Sequence, residues 1–136
     1  MVEKVYAYVT RDQDGVKQVL VFRHSNPEAG VQVPKGTVER NEKLDDAIKR
    51  EVTEETGLRH FKSVKRIAED EWENEDGHDQ RRIFYHVQVD QPLRDEWSYA
   101  PTGGGAEDQV CFHYYWIDPY DSNDLIRGHG DYLQNL

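Results

Sequence analysis

Residues 44–58, LDDAIKREVTEETGL, repeat their apolar side chains at helical spacing. At about 100° per residue, Leu44, Ala47, Ile48, Val52 and Leu58 fall on one stripe, as a helix packed on a core requires. Glu51 and Glu55 lie inside that stripe, and Glu54 lies at its edge beside Ala47. Their i, i+3, i+4 spacing makes them neighbours, near the helix end whose dipole disfavours negative charge. An ordinary solvated acidic face would lie opposite the apolar stripe. Lys49 and Arg50 could offset part of this charge, but two cations cannot neutralise the whole cluster. The pattern therefore points to a cation site, and clustered carboxylate oxygens suit a hard ion such as Mg²⁺ or Mn²⁺. The spacing of an EF-hand loop is absent from the sequence.

The flanking segments read mostly as strands. Val2 to Thr10 alternates, Val16 to Arg23 is rich in β-branched residues, and the intervening DQDG supplies a hairpin turn. SNPEAG reads as a loop and VQVP as a short strand stopped by Pro34. The helix is expected to begin near Asn41 as N-cap and to stop at Gly57. Phe61 to Trp72, Arg81 to Val89 and Gln109 to Ile117 read as further strands. Ile83, Tyr85, Val87 and Val89 share one face, and so do Val110, Phe112, Tyr114 and Trp116. From Pro119 onward the sequence suggests two short helical pieces separated by Gly128-His129-Gly130. About six strands, one long helix and a C-terminal helix give an α+β domain with a mixed sheet, spanning residues 1–136 as one unit.

Charge and composition narrow the function. The net charge of −10 argues against nucleic acid or an anionic membrane as partner. An anionic substrate would need a multivalent cation to bring it in. Cys111 is the single cysteine, so a disulfide within the chain is impossible, and it reads as a small buried hydrophobe. The sequence contains neither a secretory leader pattern nor an apolar run of membrane-spanning length, so a cytoplasmic location is expected. His86 and His113 read as packed strand residues, and Trp72, Tyr85 and Tyr115 as core aromatics. Arg81 and Arg82 open a strand and are candidate phosphate ligands, with a solvated strand edge as the alternative. The sequence is silent on oligomeric state, and a homodimer stays open.

Read position by position, Gly36, Glu42, Arg50-Glu51-Val52, Glu54-Glu55 and Gly57-Leu58 match all nine defined positions of G-x5-E-x7-R-E-U-x-E-E-x-G-U, with U aliphatic. This is the Nudix box, and the chain resembles the Nudix hydrolases. The resemblance implies an α/β/α sandwich, its mixed sheet lying between the box helix and a C-terminal helix. It also implies metal-dependent hydrolysis of a nucleoside diphosphate linked to another group. Carried over by position, Glu51, Glu54 and Glu55 become metal ligands, joined by the main-chain carbonyl of Lys35 or Gly36. Arg50 becomes the partner that holds the glutamates, and Glu42 supports the junction between loop and helix. A further catalytic carboxylate is expected in the loop APTGGGAEDQ, with Glu107 first and Asp108 second. Glu51 or Glu107 would serve as general base. VPKG resembles members acting on nucleoside triphosphates or dinucleoside polyphosphates, in which the lysine, here Lys35, reaches a phosphate. Markers of ADP-ribose or dinucleoside polyphosphate enzymes would fall in WENED (72–76), and neither is there. An ADP-ribose or nucleotide-sugar pyrophosphatase, or a nucleotide-sensing module without turnover, are the alternatives. The intact box glutamates favour catalysis.

Overall fold

The first strand organises the molecule. In the computed structural model, which describes residues 1–73, 77, 79–101, 110–120, 125–126 and 128–136, β1 spans Val2–Gln13. Its second half pairs antiparallel with β2 (Val16–His24) through a turn at Asp14-Gly15, both at positive φ. Its first half lies between β4 (Lys35–Thr37), antiparallel, and β6 (Asp79–Val89), parallel. That parallel pair makes the sheet mixed. β5 (Phe61–Glu73) flanks β6, while β8 (Phe112–Ile117) and β7 (Trp97–Tyr99) continue beyond β2, giving the order β5-β6-β1-β2-β8-β7. β3 (Val31–Gln32) pairs with β2.

Among the described residues eight strands thus stand where about six were expected, β7 being one of the additions. The segment around Pro34 divides into β3 and β4, because proline has no N–H to continue a ladder. Its carbonyl instead accepts from the Ala7 N–H at 2.8 Å.

Strand alternation sorts the core onto the two sheet faces. Val5, Ala7, Val9, Leu20, Phe22, Ile83, Tyr85, Val87, Phe112 and Tyr114 pack under helix α1 (Leu44–Thr56), meeting Ala47, Ile48 and Val52. Ile83, Tyr85, Val87 and Val89 share this face as expected, as do Val110, Phe112, Tyr114 and Trp116. Tyr6, Tyr8, Val19, Val21 and Phe84 face the other way, against Leu133 and Tyr132 of the tail.

Here the structure corrects the sequence reading. Among the described residues α1 is the one α-helix, and the tail covers its face with turns and a single 3-10 turn at Leu133–Asn135. Gly128 sits at φ +84°, where its missing Cβ lets Trp72 and Arg82 approach closely. Part of the expected helical pieces, residues 121–124 and 127, lies outside the described residues. Cys111, expected to be buried, is exposed. No helix among the described residues is long and apolar enough to cross a membrane.

His129 ties the tail to the sheet. Its Nδ1 accepts the Val33 N–H at 3.1 Å, and its carbonyl accepts the Tyr8 hydroxyl at 2.7 Å. Burial, with Lys35 and Arg82 adding repulsion, pushes the imidazole pKa down to about 3. A pKa depressed on folding means that the unfolded chain binds the proton more readily. The stability from this residue is therefore present above pH 6.5 and lost as pH falls from there toward 3. By pH 5 the loss reaches about 2 kcal/mol. The melting temperature of the native protein should fall more steeply between pH 7 and 5 than that of His129→Asn, which has no titrating group there.

Candidate active site

The glutamate cluster is held from both ends of α1. At the C-terminal end Gly57 adopts φ +82° and returns its N–H to the Thr53 carbonyl at 3.0 Å, the glycine stop expected from sequence. The last carbonyls find partners too: Glu55 O accepts from the Tyr114 hydroxyl at 2.8 Å and Thr56 O from Trp97 Nε1 at 3.1 Å. At the other end the N-cap is Lys43, without a side-chain cap bond, and not Asn41. Asn41 sits at φ +66°, a conformation Asn tolerates better than most residues, inside a turn closed by Glu42 N–H to Glu39 O.

Arg50 joins that turn to the glutamates. Its Nε and Nη2 donate to the two Glu42 carboxylate oxygens at 2.7 and 2.9 Å, a bidentate pair. Nη2 also donates to the Thr37 carbonyl at 3.0 Å, and Nη1 reaches Glu51 Oε1 at 2.8 Å and Glu54 Oε2 at 3.2 Å. The bonds to Glu42 and Glu51 keep the guanidinium charged, and in return they hold Glu42 below the usual carboxylate range. Glu51 is the buried member of the cluster. Its burial drives its pKa up against the pull of Arg50, and Glu54 and Glu42 add to the rise. Glu55 Oε1 accepts the Lys35 N–H at 3.4 Å, linking α1 to β4.

Gly36 faces Glu51 across this link. A Cβ on Gly36 would fall on the Glu51 carboxylate. Arg50 limits how far that carboxylate can turn, so Gly36→Ala must push it aside. The expected cost is about 1–3 kcal/mol of stability. Misplacement of the carboxylate by about 1 Å should also lower turnover roughly 100-fold. Parallel measurement of melting temperature and kcat checks both effects.

Glu51, Glu55, Gly36 and Lys35 line one wall of a cavity of about 370 Å³. Lys4, Gln32 and Ala29 lie around it, with Phe22, His24 and Phe112 completing the lining. Phe22 and Phe112 stack at 4.2 Å between ring centroids, with His24 5.2 Å from Phe112. Burial and the neighbouring Lys35 charge pull the Lys4 ammonium's pKa down. Sequence reasoning missed Lys4 and the three aromatic rings. The β-branched stretch from Val16 to Arg23 put Phe22 in a strand, but which strand would stack on it was not written locally.

The structure does not bring Arg81 and Arg82 to this cavity. Arg81 lies between Glu3 and Glu69. Arg82 is buried under the tail, paired with Asp70 and Asp131. Glu107 and Asp108 lie outside the described residues. Among the described residues no group of three or more His, Cys, Asp or Glu side chains is poised to hold an ion, since Arg50 draws Glu51 and Glu54 to itself.

An α+β mixed-sheet sandwich that sets one glutamate-rich helix against a cavity defines the class. A family model described as NUDIX domain matches residues 2–132, and the chain belongs to that family. None of the curated protein sequences matches it significantly. Solved structures share the fold at low identity. An Ap4A hydrolase binary complex from C. elegans is 18% identical, with TM-score 0.71 over 99% of this chain and 94% of that one. The NUDIX domain of Shewanella oneidensis NrtR, complexed with ADP ribose, is 14% identical, with TM-score 0.72 over 99% and 85%. A MutT protein from Methanosarcina mazei Go1 is 20% identical, with TM-score 0.67 over 98% and 90%.

Proposed function

We propose that the protein hydrolyses a pyrophosphate bond in nucleoside diphosphate derivatives, foremost nucleoside triphosphates or dinucleoside polyphosphates, with Mg²⁺ or Mn²⁺. The reading is carried by one observation: two of the box glutamates, Glu51 and Glu55, line the same cavity as the stacked Phe22–Phe112 pair. Family members generally use divalent metals. The donor set here fits such an ion, being three carboxylates at i, i+3, i+4 with a glycine backbone packed against the buried one. Glu51, Glu54, Glu55 and the Gly36 carbonyl would hold it. When bound, the metal lowers the pKa of water and offsets phosphate charge.

The chain's own residues do the rest. Arg50 keeps Glu51 and Glu54 aligned, Lys35 meets a phosphate, and His24, seated against Phe112, stacks a base. Glu51 or Glu107 takes the proton from the attacking water.

ADP-ribose is the second reading, favoured by the likeness to a domain solved with that ligand. Phosphate release from a panel of nucleoside triphosphates, dinucleoside polyphosphates, ADP-ribose and nucleotide sugars, with and without Mg²⁺ or Mn²⁺, tests both. Turnover confined to the metal-containing wells supports the proposal, and no release from any substrate with metal would refute it.

A further inference from the structure

Arg50, the arginine beside the glutamates, already has a carboxylate partner in Glu42, and Arg81 and Arg82, away from the cavity, have theirs in Glu3, Glu69 and Asp70. The two lysines at the cavity differ. Among the described residues, neither the Lys4 nor the Lys35 ammonium has a hydrogen bond or ion pair. They are also brought close together. The β1–β4 register sets Lys4 opposite Thr37 and Lys35 opposite Tyr6, so the lysines are diagonal neighbours on one face. Such neighbours stand about 7 Å apart. Two half-buried cations this close repel each other, and at Lys4 the charges of Glu51 and Glu55 pull the other way.

Their position explains what would offset it. Lys4 and Lys35 line the 370 Å³ cavity beside Glu51, and both also line a second cavity of about 550 Å³ with Val2, Tyr6, Thr37, Asp79 and Gln80. They form the ridge between the two. An anion lying across the ridge would satisfy both ammonium groups at once. It must be long enough to start at the glutamates and cross the ridge. A single phosphate fits this poorly, and a polyphosphate chain fits it well. Beyond the ridge the lining is a hydroxyl, an amide, Tyr6, Val2 and one carboxylate, Asp79, which disfavours a terminal phosphate and suits a neutral sugar or base.

We propose that Lys4 and Lys35 form a saddle for the phosphates beyond the cleaved bond, leading a chain of three or more phosphates from the first cavity into the second. The proposal rests on the pyrophosphohydrolase reading of the first cavity and makes Lys4 a specificity-determining residue.

Two measurements on Lys4→Met and Lys4→Arg decide it. Calorimetry with inorganic tripolyphosphate and Mg²⁺ should show binding to the native protein, about tenfold weaker for Lys4→Met and near native for Lys4→Arg. Steady-state kinetics should show a kcat/KM loss that grows with phosphate number. About tenfold is expected for a dinucleoside tetraphosphate, almost all in KM, against less than twofold for the two phosphates of ADP-ribose. A melting temperature within a few degrees of native excludes misfolding as the cause. Equal losses for all chain lengths, or unchanged tripolyphosphate binding, would overturn the saddle. If the native protein cleaves none of the substrates, the hydrolase reading falls. Tripolyphosphate binding, which needs no turnover, still decides the role of Lys4.

Discussion

Glu54→Gln should lose at least about three orders of magnitude in kcat while melting within a few degrees of the native protein. The two halves of this expectation have different origins. Glu54 is partly exposed, and its ion pair with Arg50, at 3.2 Å, is the longest of the three that Arg50 makes with Glu42, Glu51 and Glu54. A pair of that kind contributes at most about 1 kcal/mol. Arg50 keeps Glu42, Glu51 and the Thr37 carbonyl after the substitution, so the loop and helix stay joined. Glutamine also removes one of the like charges that raise the pKa of Glu51, a small gain in the absence of metal. Activity is another matter. An amide keeps the shape of the carboxylate but not its charge, and charge is what a hard divalent ion requires. Removing a single preorganised charge-stabilising group from a hydrolytic site already costs 100- to 1,000-fold, and a metal ligand should cost more. Turnover with Mg²⁺ near the native rate would remove Glu54 from the metal site.

The contrast between Glu54 and its neighbours bears on what a sequence can reveal. Helical spacing put Glu51 and Glu55 in the apolar stripe, and the structure has Glu51 buried, because a helix face follows from local periodicity alone. Gly57 was legible for the same reason, since a left-handed stop is a one-residue property. The start of α1 was not. Asn41 reads as a cap, yet the turn there is set by Arg50 reaching back eight residues to Glu42, a contact that only the folded loop creates. The described part of the tail differs for the same reason, with turns and one 3-10 turn at Leu133–Asn135. Its polar and apolar residues suit short helices, but His129 hydrogen-bonds to Val33 and Tyr8, distant in the chain, and those bonds fix turns instead. Lys4 went unnoticed because its interest arises only when β1 pairs with β4.

Arg82 gives the sharpest test of such misreadings. As a phosphate ligand it would matter to KM; as the structure places it, it matters to stability. Its side chain is only 4% exposed. Nε and Nη2 donate to the two Asp70 carboxylate oxygens, Nη2 also to Asp131 at 3.0 Å and Nη1 to the Gly128 carbonyl at 3.1 Å. The guanidinium lies 4.2 Å from the centre of the Trp72 ring. These contacts pin the tail to β6. Removing one partner of a buried pair costs about 3–5 kcal/mol, because the other charge is stranded. Asp70 and Asp131 are partly exposed here, and Asp70 keeps the Tyr132 hydroxyl, so the low end applies. Arg82→Met should therefore lose about 3 kcal/mol, a drop of about 10 °C in melting temperature for a chain of this size. Burial raises the pKa of Asp70, but its bonds to Arg82 and Tyr132 outweigh that and leave it below 3.8. A depressed carboxylate stabilises above its unfolded pKa, so the gap between native protein and variant should close as pH falls through 3.8 and below. Asp70→Asn in the same chain should recover part of the loss, since it removes the stranded charge. Below the melting transition KM should match that of the native protein, because the 370 Å³ cavity has no contribution from Arg82. A raised KM at unchanged melting temperature would return Arg82 to the substrate site.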